Sequence, residues 1–242
     1  MAQYFWSAEN YAVGEVPAEF NLIRRINSIE VDSDSDGKYA AVDASGGFSR
    51  SILIFTPPGI TTDTSLYVRI SLSGEFYALL RFQPDSEVGI TGLKSYMQRD
   101  GRTGSVVGMF NINYSALASS ANTGLAAGSV GKNFFDAIGT TLLGRWANDA
   151  DQLATTEAVA TEATAFTEGW VGFHFWTAAT YRIYEIGVGT DGDPAPTGPV
   201  GTTEAFALRH NPRTNKVIPV LSSPTVTDIG ANCVRPRVTK GY

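Results

Sequence analysis

The chain has 242 residues, 43% hydrophobic and 17% charged, with a formal net charge of −6 and a pI near 4.9. That balance excludes the basic face that displaces counterions from nucleic acid and offers no polybasic run for an anionic membrane. No stretch nears the roughly 18 apolar residues of a membrane span, and the single cysteine, Cys233, excludes an intrachain disulfide.

Residues 1–15 (MAQYFWSAENYAVGE) have no basic region, apolar run or cleavage-like site, so they are not read as a signal peptide. Next comes an acidic stretch, DSDSDGKYAAVD at 32–43. The bland reading takes SIEV as a strand, DSDSDGK as a turn and YAAVD as the return strand, since Asp, Ser and Gly are turn residues. A calcium loop is the sharper reading. Asp32, Asp34 and Asp36 stand at positions 1, 3 and 5 of a twelve-residue frame, with Gly37 at 6 and Asp43 at 12. Against it, position 12 is not the longer Glu and no helical pattern flanks the loop. A third reading compares EVDSD (30–34) with the Glu-x-Asp-x-Glu strand of family-16 glycoside hydrolases; the second acid is here the shorter Asp34, and apolar strand residues do not follow. The turn reading is preferred, and no catalytic residue is assigned.

Strand signals then dominate. SRSILIF (49–55) ends before Pro57-Pro58, which cannot donate to a ladder. In TSLYVRISL, Leu66, Val68, Ile70 and Leu72 alternate with Tyr67, Arg69 and Ser71, which puts the first set inward. Arg69 should therefore be replaceable. GEFYALLRF repeats the pattern with Phe76, Ala78, Leu80 and Phe82 on one face, and the short turn at Gly74 predicts a hairpin between the two runs. Residues 115–132 are small, polar and without period, as a surface excursion would be. Strand is expected from Thr140 onward in TTLLGRW, a short helix fits 151–167, and WVGFHFW (170–176) and YRIYEIGVG (181–189) read as strands. His174 falls at an outward position. Trp146, Trp170, Trp176 and Tyr181 could form a sugar-stacking platform, although aromatics at such positions more often fill a core. TDGDPAPTGPVG (190–201) reads as a stiff exposed linker. Beyond it, Val226–Ile229 and Cys233–Val238 around Gly230-Ala231-Asn232 suggest a terminal hairpin, too small to stand alone.

Two segments carry a resemblance. The opening FWSAENYAVGEVPAEFNLIRR, through Phe5, Ser7, Tyr11, Gly14, Pro17 and Phe20, resembles the start of concanavalin-like (laminin-G-like) domains of bacteriophage tail and virion proteins. GWVGFHFWTAATYRIYEIGVGTDGDPAP (169–196) resembles the end of the same domain, and LLGRWANDAD (142–151) fits its Arg-x-Trp hairpin. The resemblance spans roughly residues 3–197; residues 95–135 depart from it and read as an insertion. It implies an all-β, two-sheet antiparallel jelly-roll sandwich over 1–197, followed by a β-rich arm over 198–242. It also implies a non-enzymatic virion subunit whose partners are copies of itself and other virion proteins. The alternative is a module that holds a host surface glycan. Calcium is the one cofactor the acidic loop would suit. QYFWS and YRIYEIGVG are expected to pair and close the sandwich.

Overall fold

The computed structural model describes residues 2–45, 51–71, 74–83, 94–99, 106–110, 114–120, 128–150, 156–161, 166–176, 179–199, 207–211 and 216–220. For 24, 106–110, 114–115, 156, 207–211 and 216–220 it describes the backbone alone. The chain divides into two units, Met1–Pro199 and Val200–Tyr242.

The first unit is an all-β, two-sheet antiparallel jelly-roll sandwich. Its strands are β1 (Gln3–Ser7), β2 (Phe20–Arg24), β3 (Ser28–Asp34), β4 (Gly37–Asp43), β5 (Ser51–Phe55), β6 (Thr64–Ser71), β7 (Phe76–Gln83) and β8 (Lys94–Arg99). Then follow β9 (Val106–Phe110), β10 (Tyr114–Ser119), β11 (Val130–Ile138), β12 (Thr141–Asn148), β13 (Thr156–Thr161), β14 (Trp170–Phe175) and β15 (Thr180–Thr190). The eight-stranded sheet runs β13-β12-β11-β6-β15-β4-β3, with β1 also on β15; the seven-stranded sheet runs β10-β9-β8-β7-β14-β5-β2. The only helical turn among the described residues is a 3-10 turn, Ala8–Asn10, whose Glu9 N–H donates to Ser7 Oγ.

β15 organises the larger sheet. Its first half, Thr180–Ile183, pairs with β4, and its second half pairs with β1, from Gln3 opposite Gly189 to Ser7 opposite Glu185. The expected closure of first strand on last is therefore present. A bulge at Tyr184 separates the halves and turns both Tyr184 and Glu185 away from the interior, because a bulge adds one residue without a pleat. Between the sheets lie Trp6, Val68, Ile70, Phe76, Leu80, Phe135, Trp146, Phe173 and Ile186, all buried in one apolar cluster. Each such side chain contributes roughly 1.5–3 kcal/mol by leaving water.

Several expectations are corrected. β6 and β7 are not a hairpin: they lie in different sheets, so the chain crosses the sandwich between them. Period-two patterning fixes which face is apolar but not which strand is the neighbour. Residues 95–135 are not a mere surface excursion: they supply most of β8, then β9, β10 and most of β11, to the two sheets. The apolar alternation of VGKNFFDAI was hidden because small and polar residues, Gly131 and Asn133, hold two of its inward positions. Gly131 is required there: a Cβ would stand 2.4 Å from Trp146 Cζ2. In place of the proposed helix, 156–161 form β13. Phe82 does not share a face with Phe76, Ala78 and Leu80. Arg81 adopts φ 51, the pairing slips there, and the strand's phase inverts. Arg81 then points inward at 4% exposure, donating to the carbonyls of Thr62, Phe166, Ala137 and Gly139 and to Asp63.

In the second unit, β16 (Ala207–Asn211) pairs antiparallel with β17 (Lys216–Val220). The proposed hairpin of Val226–Ile229 and Cys233–Val238 lies outside the described residues.

Candidate functional site

The acidic stretch is a β-hairpin, as the turn reading had it. β3 and β4 stay paired up to Asp34 opposite Gly37, and Ser35-Asp36 make the turn. Asp34 Oδ1 accepts from Asp36 N at 2.8 Å, and Gly37 takes φ 119, which a side chain resists. The four acids of the calcium reading are not brought together. Asp43 stands at the other end of β4, opposite Ser28, and accepts from Asn27 and Ser45. Asp32 accepts from Ser33 N and the Tyr39 hydroxyl. Asp34 accepts from Arg182 at 2.7 Å and Tyr184 at 2.9 Å. Among the described residues no group of three or more His, Cys, Asp or Glu could hold a metal ion.

The hairpin instead opens a polar ribbon across the outer face of the eight-stranded sheet. Alternation turns Asp32 and Asp34 (β3), Tyr39 (β4), Arg182 and Tyr184 (β15), Tyr67 and Arg69 (β6), Lys132, Phe134 and Asp136 (β11) and Arg145 (β12) to this face. The aromatic rings lie under cations: the Arg182 guanidinium is 5.1 Å from the Tyr39 ring centre, and Arg69 is 4.6 Å from that of Tyr184. Arg69 also grips Asp149 through two bonds of 2.6 and 2.8 Å and donates to the Asp36 carbonyl. It is outward, as expected, and joins Asp149, the Asp36 carbonyl and the Tyr184 ring. Its hydrogen bond holds the Asp149 carboxyl below the usual range, while the same pairing raises Arg69. Burial, then the Asp34 carboxylate, pushes the Tyr184 hydroxyl up; burial, then Glu185, does the same to Tyr67, which donates to Glu185 at 2.8 Å. Burial raises Asp136 against the opposing pull of Arg145, 2.7 Å away.

A groove forms where the chain folds back over this face. The expected exposed linker is, over residues 191–199, part of the sandwich. Asp191 (φ 57) and Gly192 (φ 85) reverse the chain, and residues 193–197 run over β15 at Gly187 and Gly189. A Cβ on Gly187 would stand 1.8 Å from the Pro196 carbonyl oxygen, and one on Gly189 2.2 Å from that of Asp193. Gln3 Nε2 fastens this strap by donating to the Pro194 carbonyl at 2.9 Å. The strap walls two adjoining hollows. One, about 300 Å³, lies among Tyr67, Arg69, Lys132, Asp149, Glu185 and Thr197. The other, about 280 Å³, lies among Ser65, Asp136, Arg145, Pro194 and Ala195. Phe134 borders both and stays half-exposed. A third hollow, about 460 Å³, opens at Asp32, Tyr39 and Arg182. Sequence reasoning missed Phe134 and the strap; the GVGTDG turn after an aromatic strand was the available signal.

The proposed aromatic platform is not assembled. Trp146 and Tyr181 are core, whereas Trp170 is half-buried and Trp176 exposed on the other sheet. His174 is on an outer face, as expected, but fully buried, 5.2 Å from the Tyr77 ring. Glu30, Asp32 and Asp34 do share the outer face of β3, but Asp34 is engaged by Arg182 and Tyr184.

No known family model and no curated protein matches the chain. Solved structures do. The metal-free exoplasmic/lumenal domain of VIP36 superposes with a TM-score of 0.51 at 10% identity, covering 90% of this chain and 96% of that one. Its Ca2+/Man2-bound form gives 0.50 at 10% identity, covering 89% and 94%. A Bacillus subtilis protein of unknown function with a galectin-like fold gives 0.50 at 8% identity, covering 71% and 89%. At such identities the likeness establishes the fold, and the chain is a jelly-roll sandwich of the concanavalin and galectin type.

Proposed function

We propose that the chain is a non-enzymatic glycan-binding module that holds its ligand in the strap-walled groove of the eight-stranded sheet. The observation that carries this reading is the half-exposed Phe134 ring, packed against Tyr67 and the Arg145 guanidinium and bordering two hollows whose polar groups are already fixed by one another. A sugar presents one apolar face to an aromatic ring and hydroxyls at its edge; fixed donors and acceptors meet those hydroxyls without ordering cost on binding. The larger cation–carboxylate set is balanced, Arg69 and Lys132 against Asp149 and Glu185, which favours an uncharged saccharide over an anionic one. The Ca2+/Man2-bound form of VIP36, on the same fold, supports the chemical class. Binding on this sandwich asks for no general acid–base pair, so an enzyme reading is not adopted.

A glycan array followed by calorimetry tests the proposal. At least one glycan should bind, and Phe134→Ala should weaken it tenfold or more, about 1.4 kcal/mol, while the variant keeps the wild-type circular dichroism spectrum at the temperature of the binding measurement. Failure of every glycan, or binding indifferent to Phe134→Ala, would overturn it.

A second reading rests on the resemblance of the sequence to virion domains: the module belongs to a virion, and residues 200–242, a separate unit, join it to copies of itself or to other virion proteins. Truncation after Pro199 should leave a folded sandwich that no longer assembles; normal assembly of that truncated chain would sink the idea. Electron microscopy of the particle would test its place in a virion directly.

A further inference from the structure

The rim where β7 meets β14 holds a hollow remote in sequence and sheet from the groove. It measures about 270 Å³ and is lined by Ile60, Phe82, Gln83, Glu168, Gly169 and Trp170. We infer that it is a second saccharide site, one that takes a single neutral sugar ring on the Trp170 indole. The inference is independent of the groove.

The hollow is built rigidly. Arg81 at φ 51 inverts the phase of β7 and so places Phe82 on the outer face beside Trp170, its register partner. Thr61 and Gly169 exchange backbone hydrogen bonds of 2.9 and 3.0 Å across the hollow's base. Gly169 admits no side chain, because a Cβ would stand 2.3 Å from the Arg81 carbonyl carbon. Gln83 Nε2 donates to the Glu168 carbonyl at 3.1 Å, which fixes the amide on the polar side. Walls from residues 60–61, 82–83 and 168–170 are thus tied to one another before any ligand arrives.

Their chemistry selects the ligand. Trp170 packs one side on the outer-face apolar cluster and stays half-exposed, and Ile60 is 59% exposed beside it. Apolar surface on two sides suits the C–H face of a pyranose, while the Gln83 amide and Glu168 carboxylate can meet its hydroxyls. Among the described residues no Lys, Arg or His lines the hollow, so the charge that an anionic ligand would face there is that of Glu168. A lysine or arginine head group could sit over the indole, but it would press its charge against Ile60 and Phe82 with one water-exposed carboxylate as partner, a poor return for its desolvation. The volume suits one ring rather than a chain.

The test is indole N–H NMR of the full ¹⁵N-labelled chain, with Trp170→Phe identifying the Trp170 resonance. Glucose, galactose, mannose and N-acetylglucosamine are titrated singly, and Nα-acetyl-lysine amide in a parallel arm. At least one sugar should move the Trp170 resonance saturably, with a dissociation constant near the millimolar range typical of weak contacts, about 4 kcal/mol. Gln83→Ala should weaken that sugar tenfold or more without moving the melting temperature, and Phe134→Ala should leave the shift intact, which separates this site from the groove. If no sugar moves the resonance, or only the lysine amide does, the inference is wrong.

Discussion

The two sheets share one interior but have opposite outer faces. On the eight-stranded sheet the outer face is a ribbon of paired charges over aromatic rings, with Phe134 half-exposed in a groove. On the seven-stranded sheet the residues that point away from the interior are Ile52, Ile54, Tyr77, Leu79, Phe82 and Met97, a second apolar cluster that is also buried. The difference is already written in the strands. In β5 all five residues, SILIF, are buried, whereas β11 alternates between half-buried and buried from Val130 to Ala137 and ends on the exposed Ile138. A run that is apolar at every position belongs to a strand buried on both sides; alternation marks one with a wet face. Specific polar recognition is available only on the second kind of surface, and on the first only at its rim, where Trp170 emerges.

The sharpest way to break this comparison is to place a charge on each outer face. Leu79→Asp should cost more than about 4 kcal/mol, or prevent folding, because it buries an unpaired carboxylate. The inter-sheet control Val68→Asp should behave alike. Ala41→Asp on the polar ribbon should stay within about 0.5 kcal/mol of wild type. Chemical denaturation measures all three, and equal effects of Leu79→Asp and Ala41→Asp would erase the distinction.

A smaller effect is expected where the strap meets the sheet. Gly187→Ala puts a methyl group where the Pro196 carbonyl lies 1.8 Å away, so the strap must lift. A loss of about 1–3 kcal/mol should come with faster proteolysis within 191–199 and weaker glycan binding. Unchanged proteolysis would show that the strap does not need the glycine.

Arg69→Ala should cost about 0.5–1 kcal/mol, since its pair with Asp149 is partly solvated. It should also alter the acid limb of stability. Asp149 is held below its ordinary value in the folded state, so its contribution is complete above the unfolded value, about 3.9, and is lost as pH falls through the folded one. The variant should therefore lose less stability than wild type between about pH 4 and the onset of acid unfolding. Identical acid limbs would mean that the pair contributes nothing there.

Smallest of all is the effect expected from metal removal. The acids of the hairpin are taken up by Arg182, Tyr184, Tyr39 and backbone N–H groups, so a chelator should not move the melting temperature. A rise on adding calcium, abolished in Asp32→Asn/Asp34→Asn, would reinstate a metal on this face, since a ligand stabilises the state that binds it.

Much of the fold was legible in local pattern. Leu66, Val68 and Ile70 mark an inward face, and the β3–β4 turn follows from Asp, Ser and Gly chemistry. These features depend on residues a few positions apart, where pleat and turn geometry act directly. β11 was not legible, because Gly131 and Asn133 occupy core positions only to make room for, or lie beside, Trp146. Nor was the inward turn of Arg81, since a single positive φ inverts everything after it without changing composition.

By itself, then, the sequence determined the class of fold and the hairpin at the acids. Sheet membership, the strap and both candidate sites were decided only in three dimensions. Each joins residues far apart in the chain: Arg69 to Asp149, Gly187 to Pro196 and Thr61 to Gly169. Such pairings depend on which strands become neighbours, and a period of two is the same whichever neighbour a strand acquires.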